Sequence, residues 1–380
     1  MLRKSLKVVY LFGTGASQAE ASIADDTINL LMDGIREGIL EKIINEKKGK
    51  KLRAILVNEL TSENVDVEQL ISLYDSSGNK RDASLARVLK KYFKEGILEQ
   101  IQRLDGAGYF KPKLYTALLD MHEIKELEES LTGIMTLNYE DLIERAVQQV
   151  HGDVDFSFTV DCKSNSRIQT NGKFILLKLH GSFNWKREFP VTLQDKIRND
   201  EDILWIPPGV EKRHEQYPFN IIWGKAQEIL NCDILRIVGC SLSHNDWHLV
   251  SLLYSTQKLN KNGKQYRIEV INRPAPLAQE TRPAYGEGDI KKKYPHLRIY
   301  HIHELEEMRY LVQTSLYKGS DGVSNKVDAK TITAFLEKQN VFMMWLKAKG
   351  EYLIKNRIPI TTPKGIFRNF MEDKENEDNT

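Results

Sequence analysis

The sequence predicts an α/β protein built on a doubly wound parallel sheet, with a large helical insertion after the first strand and a short C-terminal helical extension. Two observations favour this fold class. Short apolar runs alternate with helical patterns, as in proteins whose helices cover both faces of a parallel sheet. Several runs also lack polar residues at alternate positions, which is typical of strands buried on both faces. The runs are 6–12, 133–137, 174–179, 203–206, 234–239, 267–272 and 297–301.

Helical patterns separate these strands, except in one part of the chain. From about 20 to 130 helical patterns follow one another with only short polar loops between them, which indicates a helical insertion. A helix at about 329–349 precedes a polar, acidic end, MEDKENEDNT, that we expect to be disordered. The helices predicted between strands lie at about 139–150, 217–231, 245–259 and 304–314.

These patterns divide the chain into three parts. A Rossmann-like domain is predicted to comprise residues 1–20 and 131–315. The helical insertion, residues 21–130, interrupts it, and the C-terminal extension, residues 316–380, follows it. A chain of 380 residues is long enough to bury a sizeable core in such an arrangement.

Composition excludes several classes of protein. Hydrophobic residues make up 41% and charged residues 28%, which is ordinary for a soluble globular chain. The net charge of +2 gives no bulk electrostatic argument for nucleic-acid binding. The sequence shows no long apolar segment and no cleavable leader, so we expect a cytoplasmic protein without membrane contact.

The metal-binding residue types form no recognisable pattern. The three cysteines, Cys162, Cys232 and Cys240, contain no CxxC pair, which argues against a disulfide framework and against a cysteine-based zinc site. His244 and His248 are four residues apart, but we expect no acidic residue or third histidine to join them as a further ligand. The sequence therefore predicts no metal site.

A glycine-containing turn follows the first predicted strand. GTGAS, residues 13–17, places Gly13, Gly15, Ala16 and Ser17 between a strand and a helix. Glycine lets a backbone approach a phosphate closely, and the exposed amides of a helix start favour negative charge. Because the full G-x-G-x-x-G fingerprint is missing, a plain strand-to-helix turn is the alternative.

Polar side chains follow two further strands. TLNYED, residues 136–141, and KLHGS, residues 178–182, supply Asn138, Asp141 and His180. Open α/β sheets bind ligands at the carboxyl ends of their strands, so these groups are candidate site residues. The alternatives are a helix cap for Asn138, a dipole interaction for Asp141 and a structural role for a lone histidine.

Two later segments repeat this arrangement. In VGCSLSHND, residues 238–246, Ser241 can donate a hydrogen bond to a phosphate or ribose oxygen. In EVIN, residues 269–272, the amide of Asn272 can hold a ribose or an adenine edge. Helix capping and a turn before proline are the alternatives for these segments.

In this order the motifs resemble those of the sirtuin family, particularly the sirtuin-like domains of bacterial anti-phage defence proteins. GTGAS is similar to the family's glycine-alanine-x-serine loop, TLNYED to its threonine–x–asparagine–x–aspartate segment, and KLHGS to its histidine-glycine element. GCSLS and VIN match the late serine and asparagine segments. The resemblance covers about 1–20 and 131–275.

The resemblance implies that NAD⁺ is the substrate. It places the diphosphate at the GTGAS loop and His180 as the catalytic base. Asn138 and Asp141 would then lie near the nicotinamide ribose. The residues implied for the diphosphate are Gly13, Gly15, Ala16 and Ser17. Those implied for the adenosine half are Ser241 and Asn272.

Two departures from the family pattern bear on the reaction. The zinc module of the lysine deacetylases, with its two cysteine pairs, is missing, and QAEASIADD replaces their glycine-isoleucine-proline and arginine motif. This favours the branch that hydrolyses NAD⁺ to nicotinamide and ADP-ribose, with no zinc. A protein deacylase or ADP-ribosyltransferase, a non-catalytic NAD or ADP-ribose sensor and a structural scaffold for a motor are the alternatives.

The resemblance also implies control by assembly. Free NAD⁺ hydrolysis is toxic, and in abortive-infection defence it depletes the cofactor only when triggered. We therefore expect a homo-oligomer that pairs with a HerA-like ATPase, with activation by an Argonaute-type partner or by a nucleotide signal as the alternatives.

Overall fold

The computed structural model describes most of the sheet, the insertion and two C-terminal helices. The helix predicted at 304–314, the first part of the helix predicted at 329–349 and the acidic end from 373 lie outside the described residues. The described residues are 5–45, 50–62, 65–109, 111–152, 175–186, 203–209, 212, 214–259, 267–272, 294, 296–297, 299–302 and 340–372.

The described part of the chain contains strands and helices in the following order. The strands are β1 Leu6–Phe12, β2 Glu129–Thr136, β3 Ile175–Lys178, β4 Gly181–Lys186, β5 Ile203–Trp205, β6 Ile234–Val238, β7 Arg267–Ile271 and β8 Ile299–Ile302. The α-helices are α1 Thr14–Ala24, α2 Met32–Asn45, α3 Lys50–Thr61, α4 Val67–Ser76, α5 Lys80–Gly106, α6 Lys113–Met121, α7 Leu142–His151, α8 Phe219–Ile229, α9 Trp247–Leu259, α10 Val341–Lys355 and α11 Ile366–Glu372.

Six of the strands form one parallel sheet. Their order is β3-β2-β1-β6-β7-β8, and every neighbouring pair is parallel. If these six strands are numbered 1 to 6 along the chain, leaving out β4 and β5, their order is 3-2-1-4-5-6. This is the order of a Rossmann-like sheet, in which the two halves extend in opposite directions from the first strand. The predicted fold class is therefore confirmed.

The central strand β1 contributes to two apolar cores. Val8, Tyr10 and Phe12 face the core formed with the insertion and the C-terminal helices, whereas Val9 and Leu11 face the core formed with α8 and α9. All five side chains are fully buried. Burying a large apolar side chain stabilises a fold by roughly 1.5–3 kcal/mol, so β1 anchors both layers.

The short strands β4 and β5 form a separate antiparallel pair. This corrects the prediction that the run 203–206 belongs to the alternating parallel sheet, and β4 was not predicted as a strand. Gly181, which begins β4, has φ +77° and pairs with Trp205. The turn at Gly181 carries the chain away from β3, so the strand that follows cannot continue the parallel ladder.

Buried carboxylates connect the insertion to the sheet domain and to the C-terminal helices. Glu20 in α1 accepts hydrogen bonds from the first backbone amides of α6, including that of Tyr115 at 2.9 Å. Asp120 in α6 accepts one from the backbone amide of Phe367 in α11 at 2.8 Å. Negative charge at a helix start is favourable, so both contacts fix helices in place.

In the part of the chain that the structure describes, no helix has both the length and the hydrophobicity needed to cross a membrane.

Candidate functional site

The polar residues predicted from the strand ends meet at the carboxyl edge of the sheet. Backbone hydrogen bonds continue the parallel ladders one residue past β2 and β3, from the amides of Leu137 (3.1 Å) and Leu179 (2.9 Å). Asn138 and His180 are the residues that follow. Because their strands are neighbours, both residues lie at the same edge, close to the start of α1.

Asn138 is held in one orientation by the turn after β1. Its side-chain amide donates to the carbonyl oxygen of Gly13 at 3.1 Å and to Oγ of Ser17 at 2.8 Å. Its Oδ1 is buried and has no hydrogen-bond partner among the described residues. An unsatisfied buried acceptor costs about 1–3 kcal/mol, so this oxygen is available to a hydroxyl or water that enters the site.

Ser17 connects three parts of the chain through its hydroxyl. The hydroxyl oxygen lies 3.0 Å from the phenol oxygen of Tyr115 in α6, and it hydrogen-bonds to a carboxylate oxygen of Glu140. The other oxygen of Glu140 accepts from the backbone amide of Leu142 at 2.7 Å, at the start of α7. Ser17 is buried and thus acts here as a hydrogen-bond centre.

Asp141 lies outside this network. Its Oδ1 is 3.0 Å from Nε of Arg145 one turn further along α7, and its side chain is one-third exposed (33%). It makes no side-chain cap to the helix that it precedes. Glu140, rather than Asp141, is the carboxylate that joins the Ser17 network.

His180 is a buried, neutral imidazole. The residue is 4% exposed, and its Nε2 lies 3.8 Å from Oδ1 of Asp246. Burial and the positive charge of Lys212 lower the pKa of His180 to about 3, although Asp246 and a hydrogen bond to the backbone of Leu137 act in the opposite direction. The ring is therefore unprotonated at neutral pH and can accept a proton.

A charged cluster next to His180 joins the sheet domain to the insertion. The ammonium group of Lys212 pairs with Asp246 and lies 3.6 Å from Glu68 in α4. The side-chain amide of Asn245 donates to Glu68 at 2.9 Å and to Asp66 at 2.8 Å. Since these side chains are largely buried, the cluster fixes the start of α4 against the turn before α9.

Close backbone packing holds the segment that carries His180. A Cβ on Gly181 would lie 2.3 Å from the carbonyl oxygen of Leu204, so only glycine fits there. The backbone amide of Ile206 donates to the carbonyl of His180 at 2.8 Å, and the indole of Trp223 donates to that of Leu179 at 3.0 Å. These contacts give His180 a fixed position.

The GTGAS amides are occupied within the protein. Those of Gly13 and Gly15 donate to the carbonyls of Val238 (3.0 Å) and Gly239 (2.8 Å), and that of Ala16 donates to Gly13 (3.0 Å). A Cβ on Gly239 would lie 2.0 Å from the nitrogen of Ala16. The glycines are thus explained by close approach of two turns, and the amide of Gly15 could hold a diphosphate only if the turn at Gly239 moved.

The remaining predicted residues follow β6 and β7 at the same edge. Ser241 is exposed and lies two residues beyond Gly239, and Asn272 is half-buried directly after β7. Thr14, the exposed first residue of α1, is a further polar group near the turn that the sequence motif did not single out.

Three side chains that support the site were missed by sequence reasoning. Glu140 and Tyr115 contact Ser17, and the buried ammonium group of Lys178 donates to the carbonyl oxygen of Glu140 and to Glu144. Burial raises the pKa of Glu144 to about 7, against the charge of Lys178. The sequence signal for the pair of Lys178 and Glu144 was a lysine inside an otherwise apolar strand. No feature of the neighbouring sequence indicates the role of Tyr115.

Comparison with known protein families finds one similarity. Residues 132–294, less than half of the chain, match the model of the SIR2-like domain family. No curated protein matches the chain.

The chain is also similar to solved structures of Sir2 proteins. A Sir2 homolog in complex with NAD has 15% identity and a TM-score of 0.39, covering 83% of this chain and 92% of that one. A Sir2 structure with a p53 peptide and NAD⁺ has 15% identity and a TM-score of 0.36, covering 84% and 95%. A sirtuin solved to explain substrate affinity has 14% identity and a TM-score of 0.37, covering 84% and 95%. In sequence, residues 132–294 are thus similar to the SIR2-like domain family.

Proposed function

We propose that this chain hydrolyses NAD⁺ at the bond between nicotinamide and ribose, releasing nicotinamide and ADP-ribose. One observation carries the proposal. Asn138 presents a buried oxygen without a partner at the sheet edge where the neutral imidazole of His180 lies. The match of residues 132–294 to the SIR2-like domain supports a nicotinamide dinucleotide as the ligand of this edge.

Asn138 positions the groups that react. The bond from ribose to nicotinamide breaks as nicotinamide leaves with the electron pair, and the sugar passes through an oxocarbenium-like transition state. The side-chain nitrogen of Asn138 donates hydrogen bonds to Gly13 and Ser17, which fixes the amide. Its Oδ1 then accepts a hydrogen bond from the attacking water or a ribose hydroxyl. An acceptor fixed before the substrate binds needs no reorganisation during the reaction.

His180 accepts the proton of the attacking water. As the water oxygen bonds to the anomeric carbon, its proton moves to the unprotonated ring. The carboxylate of Asp246, 3.8 Å from Nε2, stabilises the imidazolium that results. A positioned general base contributes about 10²–10⁴-fold to such a reaction.

The start of α1 and the later strand ends bind the rest of the dinucleotide. The partial positive charge of the helix N-terminus offsets the diphosphate, with the exposed Thr14 as a further donor. Movement of the turn at Gly239 would release the amide of Gly15 for the same role. Ser241 and Asn272, at the ends of β6 and β7, face the adenosine half in this arrangement.

The test is the release of nicotinamide from NAD⁺ by purified variants. We expect His180→Ala and Asn138→Ala each to lower the rate by about 10²-fold or more, because each removes a group that acts on the reacting sugar or water. His296→Ala, at an exposed histidine, is the matched control and should keep the wild-type rate. Full hydrolysis by a folded His180→Ala protein would remove this assignment.

The products and the assembly state decide between the proposal and its alternatives. Free ADP-ribose supports hydrolysis, whereas modified protein supports an ADP-ribosyltransferase or deacylase. The proposal includes control by assembly, in which a homo-oligomer with a HerA-like ATPase releases the activity for anti-phage defence. The assay is therefore run with and without the product of the neighbouring gene. A chain that binds NAD⁺ but releases no nicotinamide in either state would be a sensor.

A further inference from the structure

Three metal-ligating side chains meet beside the charged cluster at Lys212. His214, Glu215 and His248 each offer one ligand atom, and these atoms all lie within 4.8 Å of one another. The rings of His214 and His248 approach to 3.7 Å between their centroids. This site was not predicted, since His214 and Glu215 are more than 30 residues away from His248 in the sequence.

The orientation of His214 suits a metal ligand. Its Nδ1 lies 2.9 Å from the carbonyl oxygen of Lys212, so Nδ1 carries the hydrogen and Nε2 is left with its lone pair. Nε2 lies 3.4 Å from Oε1 of Glu215. In a tetrahedral zinc site with bonds of about 2.0–2.1 Å, neighbouring ligand atoms are roughly 3.3 Å apart. This pair thus already has the spacing of two ligands on one ion.

The ligands come from two separate segments and leave a side open. His214 and Glu215 belong to the turn before α8, and His248 belongs to the first turn of α9. The side chain of His214 is 18% exposed and that of Glu215 is 70% exposed. An ion can therefore enter from solvent, and three protein ligands leave a fourth position for water.

We propose that His214, Glu215 and His248 bind one divalent transition-metal ion of the zinc type. Two imidazoles and one carboxylate form a donor set that zinc accepts in tetrahedral sites, unlike the all-oxygen sets that calcium and magnesium prefer. The ion joins the turn at 214–215 to α9. Because the carbonyl oxygen of Lys212 contacts the His214 ring, the ion also fixes the pairing of Lys212 with Asp246 next to His180.

The experiment is a metal titration of the full chain after removal of bound metal with a chelator. We expect one equivalent of Zn²⁺ to bind per chain by calorimetry, and Co²⁺ to give the visible absorption of a four-coordinate ion. His214→Ala and His248→Ala should each weaken binding by more than the roughly 10–100-fold that loss of a supporting group costs. His296→Ala, at an exposed histidine that is not a ligand, should bind as wild type.

Glu215→Gln keeps the test decisive if a histidine variant fails to fold. Since this side chain is largely exposed, its replacement leaves the packing intact and removes only the charged ligand. Weaker Zn²⁺ binding in this variant supports the site. Failure of the wild-type chain to bind one equivalent, or unchanged affinity in Glu215→Gln and His248→Ala, would overturn it. Neither measurement uses NAD⁺, so the outcome is separate from that of the proposed hydrolysis.

Discussion

At the scale of single residues, the charge state of His180 is set by its surroundings. Burial and the charge of Lys212 lower its pKa to about 3, and Asp246 offsets this only in part. Between about pH 5 and 8 an exposed histidine changes its charge, whereas this ring stays neutral. At neutral pH the ring therefore keeps the lone pair that the proposed role as proton acceptor requires.

Replacing Lys212 with methionine tests this account. The substitution removes a positive charge that disfavours the imidazolium, so the pKa of His180 should rise toward its ordinary value of 6.5. An NMR titration of the histidine rings measures it directly. Lys225→Met removes the same charge from a pair with Glu228 and should leave His180 unchanged. A wild-type pKa near 6.5, or no rise in Lys212→Met, would contradict the argument.

The carboxylate beside Ser17 shows what the sequence could have revealed and did not. Asp141 was predicted as a site residue because it is the aspartate of the segment that follows β2, but Glu140 is the residue that bonds to Ser17. Asn138 and Glu140 are two residues apart, as side chains on one side of a strand are, and both bond to the hydroxyl of Ser17. The period of two was therefore a usable signal for Glu140.

At the scale of elements, the turn between β3 and β4 decides where His180 lies. Gly181 combines φ +77° with a close approach to the backbone of Leu204 and Trp205. A side chain at this position would have to push two backbone segments apart. Backbone atoms cannot move aside as easily as the end of a flexible side chain. The position of the His180 imidazole therefore depends on this turn.

Gly181→Ala should therefore destabilise the protein and impair the site. The positive φ alone costs about 1–2 kcal/mol for a residue with a Cβ, and the backbone contact adds to this cost. Gly78→Ala is a matched control, because Gly78 has φ +72° but nothing within 4 Å of the added Cβ. Urea unfolding measures both. Equal losses of stability in the two variants would show that the contact with Leu204 contributes nothing.

Long apolar runs predicted the positions of several strands, whereas a short run did not predict the partner of its strand. The strand predicted at 6–12 coincides with β1, and those predicted at 234–239 and 267–272 each end within one residue of β6 and β7. Strands that are buried on both faces need continuous apolar sequence, which is visible locally. The pairing of β5 with β4 depends instead on the turn at Gly181, and three residues of sequence do not specify a partner.

At the scale of the whole molecule, polar contacts inside the core join segments that are distant in sequence. Arg236 in β6 pairs with Glu129 and Glu269 on the two sides of the sheet centre. Its guanidinium also lies 5.4 Å from the ring of Trp345 in α10. Sequence patterns predicted that a C-terminal helix exists, but they carry no information on which face it covers. The structure places it over the sheet, in the same core as the insertion.

Because α10 completes that core, the stability of the whole protein should depend on it. Trp345 is 4% exposed, and Trp345→Ala should lower the free energy of unfolding by about 3–5 kcal/mol, the usual cost of emptying a buried aromatic position. Tyr352 lies on the same helix but is 59% exposed, so Tyr352→Ala should change the stability by only about 0.5 kcal/mol. Urea unfolding of both variants separates packing from helix propensity, since each replaces an aromatic residue with alanine in one helix. A small and equal effect of the two substitutions would mean that α10 does not pack on the sheet. Another part of the chain would then have to cover this face of the sheet.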